Sequence, residues 1–141
     1  MTGQTGFTET LPSGKSEKGT WVASGVPAAI PALGEPGLTT AVSFSIPLDE
    51  TLSEGSVHVI EGEGKGGGCP IGSKASKPEA EPGNLCVFVG ASLGNNVGEI
   101  LVVSAESGEP GAGGTGAWLV IKPKTPEEAI LANGTWAVTA K

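Results

Sequence analysis

The stretch Leu38-Thr39-Thr40-Ala41-Val42-Ser43-Phe44-Ser45-Ile46-Pro47-Leu48 sets Leu38, Val42, Phe44, Ile46 and Leu48 at one parity. Thr39, Ser43 and Ser45 fall at the other parity. A period of two puts the apolar set on one face of a β-strand and the small polar set on the opposite face. Four further runs share this character and lie between glycine- and proline-rich connections. They predict a second strand at 19–23, short strands at 56–61 and 97–105, and a fully apolar strand at Leu85-Cys86-Val87-Phe88-Val89. The last run is apolar on both parities, which predicts burial on both faces. Strands at 7–11, 117–121 and 135–139 complete a set of about eight. The expected fold is therefore an all-β, antiparallel β-sandwich of jelly-roll-like character.

Composition supports one domain. The chain has 141 residues, 24 glycines and 11 prolines, a proportion that approaches the disordered range. Its 38% hydrophobic content, gathered into alternating runs, points instead to a folded core with long turns. The domain is expected over 7–141, with 1–6 a linker or stalk remnant. Gly3 and Gly6 stand three apart, a weak hint of a preceding Gly-X-Y repeat. Residues 27–37 read as a connection. Thr125-Pro126-Glu127-Glu128 has the pattern of a helix start and predicts a short helical turn near 126–132.

Charge narrows the partners. The net charge is −7, with eight lysines, no arginine and one aspartate, Asp49. Such a chain lacks the basic surface that nucleic acid or an anionic membrane requires. No run reaches the length of a membrane span, so no membrane insertion is expected. Residues 62–84 contain seven glycines and three prolines and form one long loop. Loops of that length are usually functional, disordered or tied down. Cys69 and Cys86 offer the tie, a disulfide that stabilises by about 3 kcal/mol in the chain-entropy model. A disulfide predicts an extracellular or cell-surface location, with the export signal upstream of this chain. The alternative is a cytosolic chain with two free thiols.

Chemistry-bearing motifs are sparse. His58 is the only histidine, sits between Val57 and Val59, and has no G-x-S-x-G elbow to serve. It reads as a surface or interface imidazole. Two cysteines and one histidine do not complete a zinc site, and no calcium-loop pattern occurs. Glu61 with Glu63 offers at most a weak calcium site; the pairs Glu50 with Glu54 and Glu79 with Glu81 lack an aromatic-lined cleft. No catalytic residue, metal or cofactor is expected. Asn133-Gly134-Thr135 matches a glycosylation acceptor, relevant only in a eukaryotic secretory pathway. Trp21, Trp118 and Trp136 each follow a glycine by two residues and precede an apolar residue. They read as strand starts that place an indole on the core, on an interface or on a ligand platform.

Phe7-Thr8-Glu9-Thr10-Leu11-Pro12-Ser13-Gly14-Lys15 followed by Gly19-Thr20-Trp21 resembles the start of a domain found at the C-terminus of exported proteins of soil actinobacteria. The resemblance continues through 42–48, Val57-His58-Val59-Ile60, Cys69-Pro70, 78–87 and Gly134-Thr135-Trp136-Ala137-Val138-Thr139. The chain departs from it in the glycine run 64–68 and in the segment 123–132. Proteins of this family often carry collagen-like repeats ahead of the domain, and no activity comes with the resemblance. It implies that Gly3 and Gly6 end a collagen-like stalk, and hence that the head is a trimer. The expected function is a non-enzymatic head that mediates assembly or adhesion at the end of a fibrous secreted or cell-surface protein. The alternatives are a carbohydrate-binding module, with a glycan as ligand, and a phage tail-fibre or virion surface domain.

Overall fold

The computed structural model describes residues 9–31, 33–90 and 96–141. Its strands are β1 (Ser16–Gly25), β2 (Ala28–Ile30), β3 (Glu35–Ser43), β4 (Leu52–Ser53), β5 (Val57–Glu61), β6 (Asn84–Val89), β7 (Val97–Val103), β8 (Gly111–Ala112), β9 (Gly116–Pro123) and β10 (Ile130–Thr139). Two four-stranded sheets, in the orders β1-β10-β6-β5 and β2-β3-β9-β7, form a β-sandwich, and β4 pairs with β8 apart from them. Pairing is nested: β1 lies antiparallel to β10, and β3 antiparallel to β9.

Between the sheets lies the main core. Trp21, Leu85, Val87, Ala132, Trp136 and Val138 of the first sheet meet Val42, Val102, Ala117, Leu119 and Ile121 of the second. Phe44 packs on Trp136 with ring centroids 5.5 Å apart, a tilted arrangement favoured by the ring quadrupoles. The Trp21 indole donates to the Thr135 carbonyl at 3.2 Å, which satisfies its one polar group. It lies directly over Gly134, where a Cβ would collide with the indole and with the Phe88 carbonyl.

The alternation of 38–48 holds for the side chains but not for the backbone. Val42, Phe44 and Leu48 are buried while Thr39, Ser43 and Ser45 are exposed. The ladder stops at Ser43, because the Phe44 and Leu48 amides donate to Thr115 and Gly114 of a turn, at 2.9 and 2.8 Å. The Ile46 amide donates to Glu17 at 2.7 Å.

Other expectations change. Residues 27–37 are not a plain connection, since β2 pairs with the start of β3 as a hairpin. Of the strand expected at 7–11, residues 7–8 lie outside the described residues, as does the 1–6 stalk. Residues 9–11 are not strand; Leu11 is buried and its amide donates to Pro47 at 2.8 Å. No helix forms near 126–132. The Glu128 amide closes a turn on Thr125, and Asn96 Nδ2 donates to the Thr125 and Glu128 carbonyls at 2.9 Å each. With its carbonyls taken by Asn96, the segment does not propagate a helix. The last strand then starts at Ile130, five residues earlier than expected, because 130–133 pair with 22–25.

One pair of strands is parallel, β5 with β6. Parallel neighbours need a crossover of a dozen or more residues. Residues 62–83 are that crossover, which gives the loop its length. Gly66, Gly67 and Gly68 turn with φ of +88°, +73° and +124°, conformations that L side chains rarely adopt. Cys69 and Cys86 are bonded, with Cα atoms 6.0 Å apart.

Candidate functional site

The crossover settles on the outer face of the first sheet. Cys86 and Phe88, which point away from the main core, are fully buried with Cys69, packed against Ile60 of the neighbouring β5 and against Ala75 and Ala80 of the crossover. Thr135 Oγ1 donates to the Ala75 carbonyl at 2.8 Å and Thr139 Oγ1 to the Ala80 carbonyl at 2.7 Å. Within the loop, the Gly68 amide donates to Glu81 Oε2 at 3.0 Å and the Glu81 amide to the Gly68 carbonyl at 2.9 Å.

His58 lies under this roof, half-buried on the edge strand. Its Nε2 is 2.8 Å from Asn84 Oδ1. The Asn84 amide nitrogen is directed at the Glu81 and Pro82 carbonyls, so the imidazole is the donor in that bond. Among the described residues no carboxylate or hydroxyl shares the bond, and its partner is an amide that holds the loop end. Among the described residues no three His, Cys, Asp or Glu side chains gather as metal ligands would. Glu79 pairs with Lys77 at 3.6 Å at the surface. Asn133 sits inside β10 with Oδ1 buried and, among the described residues, without a hydrogen-bond partner.

The three tryptophans part company. Trp21 and Trp136 are buried, at 4% and 5% exposure, deep within β1 and β10 rather than at their starts. Trp118 is 49% exposed. It belongs to β9, whose Ala117, Leu119 and Ile121 face the core, so the indole stands on the outer face of the second sheet. Among the described residues its pairings are antiparallel, and no crossover between parallel neighbours lies there as 62–83 does on the first sheet. In the register, Trp118 is flanked by Ala41 of β3 and Val103 of β7, and the next row is Thr39, Val120 and Leu101. Lys122 follows on the same face, bonded to Glu35 at 2.8 Å and to Glu99 at 3.4 Å. Its ammonium is held above the ordinary lysine range, chiefly by the Glu35 hydrogen bond.

The apolar surface turns the corner at β7. Among the described residues β9 is its only strand partner in that sheet, and β5 is an edge of the opposite sheet. Between these two edges runs a groove of about 310 Å³ lined by Leu33, Val57, Val59, Ile100 to Val103 and Pro110, with Glu54 at its rim. Sequence reasoning found Trp118 but missed Leu33, Leu101 and Val103. The run Ile100-Leu101-Val102-Val103 is apolar on both parities, the same signal that marks β6, and that signal was the available clue.

A second cavity, about 430 Å³, lies at one end of the sandwich between 48–53 and 82–84 and is lined by Asp49, Glu50 and Lys141. It brings together none of the residues expected to act. Compared with family models, with curated proteins and with solved structures, the chain matches none. No helix among the described residues is long and apolar enough to cross a membrane.

Proposed function

We propose that the domain is a non-enzymatic assembly head that binds further copies of itself through the apolar surface running from Trp118 round β7 to the β5/β7 groove. One observation carries the reading: a half-exposed indole set in a row of Ala41 and Val103, on the outer face of the second sheet. Tryptophans at the centre of contact surfaces contribute disproportionately to association, and exposed apolar edges serve as pairing sites. The Cys69–Cys86 bond supports an oxidising, extracellular setting. A head at the end of a collagen-like stalk would associate in threes, because that stalk has three strands.

Trp118 also favours a second reading, a platform for a sugar ring. Against it, the register neighbours Ala41 and Val103 offer no side-chain donors or acceptors to sugar hydroxyls. Light scattering on the purified domain over a range of concentrations separates the two. Self-association abolished by Trp118→Ser is the expected result. A monomer at every concentration, with indole fluorescence that responds to polysaccharide, would transfer the case to glycan binding.

A further inference from the structure

The most exposed large apolar side chain of the described residues is Ile71, at 85%. It is not on a floppy segment. Pro70-Ile71-Gly72-Ser73 is a tight turn, closed by the Ser73 amide on the Pro70 carbonyl at 3.0 Å, with Gly72 at φ +85°. Those are the marks of a type II turn. Ser73, itself buried, doubles the closure by donating Oγ to the same carbonyl at 2.6 Å. The Gly64 amide donates to Ser73 at 2.7 Å, and the Gly72 amide to Gly64 at 3.2 Å. One residue before the turn, Cys69 anchors it to β6. The backbone presenting Ile71 is therefore fixed before any contact is made, and a fixed anchor loses little entropy on binding.

The surroundings of Ile71 have their own sign. The stretch bounded by exposed Glu63 and by Glu79 carries Lys65, Lys74 and Lys77, in a chain of net charge −7. Lys65 and Lys74 are exposed and in no ion pair among the described residues, while Lys77 is paired with Glu79. The β5/β7 groove has the opposite character. It is apolar, contains no lysine in its lining, and has Glu54 at its rim; Glu109, exposed, lies between the lining residues Gly108 and Pro110.

The geometry points to a head-to-tail contact between copies of this chain, in which the Ile71 turn of one copy enters the β5/β7 groove of the next. Lys65 and Lys74 then face Glu54 and Glu109. This rests on the self-association proposed above and names the two surfaces that meet. The knob stands on the crossover over one sheet and the groove follows the seam between the two sheets, so a head-to-tail contact leaves one of each free on the end copies and is heterologous. Such contacts close into rings when the rotation between copies allows and otherwise run on as filaments.

Reciprocal charge reversal tests the contact on exposed side chains that leave the core alone. One variant carries Lys65→Glu with Lys74→Glu, a second carries Glu54→Lys with Glu109→Lys, and a third carries Ile71→Ser. Each is assessed by light scattering, with its urea midpoint confirming an intact fold. The expected result is association weakened by about tenfold or more in all three, as for loss of a contact anchor. Mixing the first two variants restores it, since each reversed surface finds its complement. Unchanged association in the three variants would overturn the head-to-tail contact while leaving self-association standing. Weakening without recovery on mixing would overturn the Lys–Glu pairing. A wild-type chain that stays monomeric would overturn both readings.

Discussion

The two sheets of the sandwich treat their outer faces differently. On the first, Cys86 and Phe88 point outward from β6 and are sealed beneath residues 62–83. On the second, Leu101, Val103 and Trp118 point outward, and Trp118 keeps half of its surface exposed. The same kind of sequence, apolar on both parities, produced a second small core in one case and, in the other, a face on which Val120 is buried and Trp118 stays half exposed. The difference comes from the connections. β5 and β6 are parallel neighbours and need a long crossover, which covers the face it crosses. β9 is joined to its partners by antiparallel pairing, which requires no long crossover. Contiguous apolar surface left on a folded domain marks a contact site. The sealed cluster on the first sheet therefore serves stability, while the proposed contact uses the second sheet and its edge together with the Ile71 turn.

Substitutions on the two faces sharpen that contrast. Phe88→Ala, which empties the sealed cluster, should cost about 3–4 kcal/mol in urea unfolding. Val103→Ala, on the open face, should cost about 1 kcal/mol or less, as befits a side chain that is only partly buried. Equal costs would mean that the second sheet is covered in solution even at low concentration. Replacing both cysteines by alanine removes the tie of the crossover and should lower stability by about 3 kcal/mol. Hydrogen exchange should then rise in 62–83 while β9 stays protected. Exchange that rises equally in both sheets would show the roof to be part of the main core.

The smallest effect belongs to Lys122→Met. Lys122 is raised above its ordinary value of 10.5 by Glu35 and, less strongly, by Glu99. Its contribution is fully present below that value and is lost as pH rises through the raised one. Because the pair is at the surface, the wild type and Lys122→Met should differ slightly at neutral pH and converge in strong alkali. A difference that widens with pH would contradict the assignment of the pair as stabilising.

Much of the fold was legible because its strands alternate cleanly. Val42 and Phe44 are buried as their parity predicts, and Leu85 to Phe88 are buried on both faces as their lack of alternation predicts. Long-range backbone partners were not legible. Nothing local to 125–128 reveals that Asn96, about thirty residues away, claims its carbonyls and turns a helix start into a plain turn. Nor does local pattern say which of two apolar strands a distant loop will cover. The site suffers most from this, because Ile71, Leu101 and Val103 matter only through what covers or fails to cover them. The disulfide was legible from two cysteines and a loop that needed tying.

Collisional quenching of tryptophan fluorescence, followed from dilute to concentrated protein, tests the account most directly. Trp21 and Trp136 are buried in the folded chain, so the quencher reports on Trp118. One accessible indole in dilute solution, protected as concentration rises in step with the mass from light scattering, is the expected result. An indole that stays equally quenchable at every concentration would contradict a contact through this face.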